Sequence, residues 1–294
     1  MRIDTHQHFW KYNDREYVWM TGTMEKLRRD YLPPDLLPLT SAAGIDGTVA
    51  VQARQCLEET SWLLELADRY SFMRAVVGWV DLCGGNIVEQ LEQFSQYPKF
   101  RGVRHVVHDE PDDAFMLRES FLRGLSHLKR FGLTYDLLLF PRHLPVACDV
   151  VRRFPEQPFV LDHIAKPPIR AREIEPWARD LKRLAQFPNV YCKISGLVTE
   201  AKWDCWEAHD FDAYLDVVLE AFGSQRLMIG SDWPVCTLAA DYTSVMSLLK
   251  EYIARQSRDE QDAILEKNPV RFYSIPPDAE PQKTWPAMGS RERD

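Results

Sequence analysis

The chain has 294 residues, 45% of them hydrophobic and 27% charged, with a formal net charge of -8. No apolar run approaches the roughly 20 residues that span a bilayer, and the acidic balance argues against a general nucleic-acid binder, which needs clustered Lys and Arg for phosphate. Cys56, Cys83, Cys148, Cys192, Cys205 and Cys236 form no Cys-x-x-Cys pair, so they read as reduced thiols; with no secretory leader pattern, the expected location is cytoplasmic.

The first β-rich run, residues 2–8 (RIDTHQH), carries His6 and His8 two positions apart, a spacing that a regular strand points to one side. Residues 9–32 follow as a long aromatic-rich insertion containing Trp19, of the size used for lids and pocket walls. Further β-rich runs at 46–52, 75–81, 101–107, 133–139, 158–163, 189–195 and 226–231 bring the count to eight. Between them lie helix-compatible segments such as 57–70, 114–131, 174–187, 210–222 and 241–256, with apolar residues at i, i+3, i+4 and i+7. Such alternation predicts parallel strands joined by right-handed crossovers. Eight units close most naturally into one α/β domain, a TIM-type (β/α)8 barrel over residues 1–275. An open doubly wound sheet would call for a Gly-x-Gly-x-x-Gly loop, and none occurs. The Pro-rich, polar residues 276–294 read as a flexible or surface-draped tail.

In such a barrel, polar residues at the C-terminal ends of strands are candidates for chemistry. Strand one offers His6 and His8, strand four Arg104 and His105, strand six Asp162 and His163, strand seven Lys193 and Ser195, and strand eight Asp232. Each alone has an ordinary explanation: a hydrogen-bonded histidine, a turn cap at Asp232, a paired lysine. Together they point to one site. His6, His8, His163 and Asp232 suit one divalent ion such as zinc with a position open for water. The same groups suit metal-free chemistry, in which the histidines polarise a carbonyl and Asp232 takes a proton from water.

Four ordered motifs carry a resemblance: His6-x-His8, Asp-His-x-x-Lys-Pro from Asp162 to Pro167, Lys-x-Ser-Gly from Lys193 to Gly196, and Gly-Ser-Asp-Trp-Pro from Gly230 to Pro234. From residue 1 to about Tyr273 the chain resembles the amidohydrolase superfamily, and within it the amidohydrolase-related branch of sugar lactonases and pyrone dicarboxylate lactonase. Trp19, the Leu27–Pro33 segment and Gly-Val-Arg-His (Gly102 to His105) look most like the L-fucono- and L-rhamnono-lactonase group. The resemblance implies hydrolysis of a sugar (aldono) lactone, with His6, His8 and His163 around the carbonyl or a single metal and Asp232 as general base. Two-metal members carry a carboxylated lysine on strand four and a histidine on strand five; here those strands offer Arg104 and His105, and Tyr135 and Asp136, so a two-metal site is not expected.

Arg104, His105 and Lys193 are donors for substrate hydroxyls or a carboxylate, and Trp19, Trp203 and Trp206 offer faces for a sugar ring. The expected partner is a small-molecule sugar lactone, with no nucleic acid and no membrane; the sequence names no subunit interface and leaves a homo-oligomer open. Two other readings stay open at this level: a decarboxylase of the same superfamily, and a non-catalytic sugar-acid binder.

Overall fold

The computed structural model describes residues 1–277; the tail expected at 276–294 therefore lies almost wholly outside the described residues. Eight parallel strands follow one another in chain order around a single sheet: β1 (Ile3–Gln7), β2 (Gly47–Val51), β3 (Met73–Gly78), β4 (Phe100–His105), β5 (Thr134–Leu137), β6 (Phe159–Leu161), β7 (Val190–Ile194) and β8 (Leu227–Ile229). The seam between β8 and β1 closes just beyond the strands. Asp232 N–H donates to the His6 carbonyl at 2.8 Å and His8 N–H to the Trp233 carbonyl at 2.7 Å. The barrel is thus sealed by the segments that carry its conspicuous polar residues.

Helices cover the outside: α1 (Pro33–Ala42), α2 (Leu57–Arg69), α3 (Ile87–Phe94), α4 (Glu119–Leu128), α5 (Leu144–Arg153), α6 (Trp177–Ala185), the short α7 (Leu197–Glu200), α8 (Asp212–Phe222) and α9 (Tyr242–Ile253). In α4 the buried residues are Phe121, Gly124, Leu125 and Leu128, an i, i+3, i+4, i+7 stripe turned to the sheet. Among the described residues no helix is long and apolar enough to cross a membrane.

Inside the barrel, Ile3, Val49, Val51, Ala75, Val77, Val160 and Met228 pack against Phe272, Tyr273 and Ile275. The last helix among the described residues, Asn268–Phe272, with Tyr273 and Ile275 after it, thereby plugs the N-terminal end of the barrel. Burial of a side chain such as Phe272 stabilises by roughly 1.5–3 kcal/mol.

One irregularity decides what reaches the other end. Asp4 pairs with Thr48 and Gln7 with Ala50, so three steps along β1 match two along β2, which is a β-bulge. Ile3 faces the interior cluster, whereas the Asp4 carboxylate points outward to the Tyr242 hydroxyl of α9 at 3.2 Å. Strict alternation from Ile3 would send His6 and His8 outward beside Asp4. The extra residue restores them to the interior.

Candidate active site

Two glycines make room for the histidines. A Cβ on Gly230 would come within 2.5 Å of the His6 Cβ, and one on Gly196 within 2.6 Å of the His163 Nδ1. His163 itself follows β6 in an unusual run. His163, Ile164, Ala165 and Lys166 have φ of 53°, 47°, 62° and 50°, and Asp232 has 57°. L-residues pay about 1–2 kcal/mol each for left-handed backbone, and such strain concentrates at functional sites. It also explains why β6 stops at Leu161 rather than at residue 163, as its apolar run suggested.

The donor atoms converge. His6 Nε2 and His8 Nε2 lie 3.2 Å apart; from Asp232 Oδ1, the Nε2 atoms of His8, His6 and His163 lie at 3.3, 3.8 and 3.8 Å. His8 Nδ1 sits 2.8 Å from the Val51 carbonyl, an acceptor, so this nitrogen donates there and Nε2 is the one turned to Asp232. His163 Nδ1 meets the Ser195 hydroxyl at 2.8 Å. Burial holds the His163 imidazole down at about 4 against the opposing pull of Asp232, and burial likewise holds His6 well below its ordinary value. Burial alone would raise the Asp232 carboxyl, but His163, His8 and His6 outweigh it and keep it ionised.

The result is the His8 Nε2 facing a carboxylate oxygen at 3.3 Å, a contact that a proton or a cation between them satisfies. Neutral imidazole lone pairs with one carboxylate are a fitting donor set for a divalent ion. The ligand atoms of His6, His8 and Asp232 all lie within 4.8 Å of one another; His163 stands outside that group, its Nε2 3.8 Å from Asp232 Oδ1.

Beneath this cluster is a buried ionic layer. Lys193 contacts Asp136, Asp162 Oδ1 at 3.0 Å and His6 Nδ1 at 3.3 Å. Arg104 donates to Asp162 Oδ2 at 3.1 Å and to Gln52 Oε1 at 2.9 Å, and its Nη1 lies 3.2 Å from His6 Nε2. Burial would raise the Asp162 carboxyl, yet Lys193, His6 and Arg104 hold it well below the usual range; burial raises Asp136 to about 6 despite Lys193.

These placements correct two expectations. Lys193 is fully buried, its ammonium held by Asp136 and Asp162 below the cavity rather than presented to a substrate. His105 turns to the outside of the barrel, between Glu110 at 2.7 Å and the Trp79 indole at 3.3 Å, stacked on Phe115. Arg104 does reach the cavity wall, although its guanidinium is already engaged below it.

Above the cluster opens a cavity of about 520 Å³, lined by His8, His163, Asp232 and Arg104 and walled by Trp10, Trp19, Trp203 and Phe140. Trp10, Glu16, Trp19 and Met24, all from the 9–32 insertion, are among the lining residues. Trp206 instead hydrogen-bonds the Ala239 carbonyl at 3.1 Å and packs on Phe211. The wall also holds Arg54, His108, Lys166, Glu16 and Glu200, which the sequence reading gave no role. For Lys166 a signal existed, since it belongs to the Asp-His-x-x-Lys-Pro motif. Arg54 and His108 lie in loops after β2 and β4, where only the barrel's geometry shows which side chains turn inward.

The amidohydrolase family model matches residues 3–275. The L-fucono-1,5-lactonase of Burkholderia multivorans (strain ATCC 17616 / 249) is 40% identical over 291 residues, covering 95% of this chain and 98% of that protein. An L-fucono-1,5-lactonase of Burkholderia ambifaria is 37% identical over 278 residues, 93% of this chain and 96% of that one. A crystal structure of a Burkholderia multivorans amidohydrolase with bound zinc is 41% identical and aligns with a TM-score of 0.90, covering 94% of this chain and all of that one (100%).

Proposed function

The chain belongs to the amidohydrolase family, and from that premise we propose that it is a lactonase, opening a cyclic sugar (aldono) ester of the L-fucono-1,5-lactone class to the open-chain acid. The observation that carries the reading is the Asp232 carboxylate at the meeting point of three imidazoles, on the floor of a cavity whose wall combines indole faces with charged groups. A polyhydroxylated ring uses both kinds of wall. The lactonases of the two Burkholderia species support the substrate class through near full-length similarity.

In this reading Asp232, ionised at neutral pH, accepts a proton from water as the water oxygen bonds to the lactone carbonyl carbon. The ring C–O bond then breaks and the proton passes from Asp232 to the departing ring oxygen, so that the product is a hydroxy acid. His6, His8, His163 and Asp232 would hold one divalent ion, zinc by analogy with the related structure, which supplies Lewis-acid polarisation of the carbonyl and a lowered pKa for water. With Nδ1 committed to the Val51 carbonyl, His8 turns Nε2 toward Asp232, a placement that supports the metal reading. His105 and Lys193 drop out as substrate contacts; Arg104, Trp19 and Trp203 stay in that role as cavity-wall residues. We assign the reaction to the cytoplasm, in keeping with six unpaired cysteines.

A pH-indicator assay over a panel of aldonolactones, run beside aromatic and pyrone carboxylic acids, tests the proposal. Acid release from a sugar lactone well above the spontaneous rate is the expected result. Carbon dioxide release from an aromatic acid, with no acceleration of any lactone, would overturn it.

A further inference from the structure

Two ion pairs stand on the cavity wall, and they differ in enclosure. Glu16, the partner of Arg54, is half exposed, at 49% of its side chain. Lys166 and Glu200 are mostly enclosed, at 17% and 23%, with Nζ 3.2 Å from Oε1. Both members of the second pair line the cavity. An enclosed pair of opposite charges offers one strong donor and one strong acceptor side by side. Two adjacent ring hydroxyls match it, one accepting from the ammonium and the other donating to the carboxylate.

The pair is also indexed to the reacting end. Lys166 closes the left-handed run that begins at His163, and its N–H donates to the His163 carbonyl at 2.7 Å. Glu200 ends α7, whose preceding residue, Gly196, abuts the His163 ring. Each charge is therefore tied by a few residues of backbone to the imidazole beside Asp232. Trp203 lies three residues past Glu200, with its indole N–H fixed on the Thr199 carbonyl at 2.9 Å, and it brings an aromatic face to the same wall.

We propose that Lys166 and Glu200 form a clamp for a vicinal diol of the substrate and so determine specificity for hydroxylated over plain lactones. This rests on the lactonase reading above. The clamp leaves the chemistry at the carbonyl to Asp232 and sets only which ring sits there.

Steady-state kinetics on an aldonolactone and on unsubstituted δ-valerolactone, for the wild type, Lys166→Met and Glu200→Gln, provide the test. Each substitution should lower the ratio of kcat/KM for the hydroxylated over the plain lactone by roughly tenfold or more, chiefly through KM. Lys166→Arg, which keeps a donor, should recover part of it. A merely structural pair would depress both substrates in proportion, and an unchanged ratio overturns the clamp while leaving the lactonase reading intact. Wild type inactive on every lactone would overturn that reading and the clamp with it.

Discussion

In the proposed reaction Asp232 and His8 form the contact on which the chemistry turns, a carboxylate oxygen and an imidazole nitrogen 3.3 Å apart. Metal content follows from it. Elemental analysis of the purified protein should find about one zinc per chain, and His8→Ala should lower that content together with activity; full turnover with far less than one equivalent of metal would refute a required ion. At this scale much of the site was legible, because His163 and Asp232 follow apolar runs that break into polar residues and His6 and His8 form a His-x-His pair in the first β-rich run. Depth was not. Lys193 lies in β7 and Ser195 just past its end, and two residues of extended chain separate them by about 7 Å, enough to leave Lys193 in the ionic layer while Ser195 meets His163. His105 was decidable in principle: consecutive strand residues face opposite sides, so Arg104 and His105 do not both look inward.

Among the elements, the bulge in β1 matters most, and it has no sequence signature here. A reader applying strict alternation from Ile3 would put the His-x-His pair on the helix side. Helices read well where the stripe is long, as in α4, and poorly where they are short or carry proline, as in α1 with Pro33, Pro34 and Pro38. The β2–α2 loop, which brings Arg54 to the cavity, is held by Glu59, whose carboxylate accepts from the Ala53 and Arg54 N–H groups at 2.8 and 2.7 Å. Burial pushes Glu59 up to about 7 from an ordinary value of 4.5, with those N–H groups opposing. The folded state thus favours the protonated form, so this contribution is full below about pH 4.5 and is lost as pH rises through about 7. Glu59→Gln keeps the acceptor and removes the titration. Its stability relative to wild type should improve by up to about 3 kcal/mol between roughly pH 5 and pH 8, read from denaturant midpoints; a difference independent of pH would contradict the assignment.

For the whole molecule, the eight-unit count carried the fold, and the closed parallel order β1 to β8 follows it. The plug did not show in advance, because Phe272, Tyr273 and Ile275 belong to no strand pattern. Tyr273 also donates to Asp136 at 2.9 Å, which joins the bottom of the barrel to the ionic layer under the site. Phe272→Ala should cost about 3–5 kcal/mol of stability, measured by urea unfolding, and a loss under about 1 kcal/mol would mean that the end is closed by other groups. The central claim, that water prepared by Asp232 attacks a lactone carbonyl, is tested most directly by turnover in water labelled with heavy oxygen. Mass spectrometry of the product should find one labelled atom in the carboxylate, with the rate falling by about 10²–10⁴-fold in Asp232→Asn; label on the released hydroxyl carbon, or an Asp232→Asn rate equal to wild type, would contradict the claim.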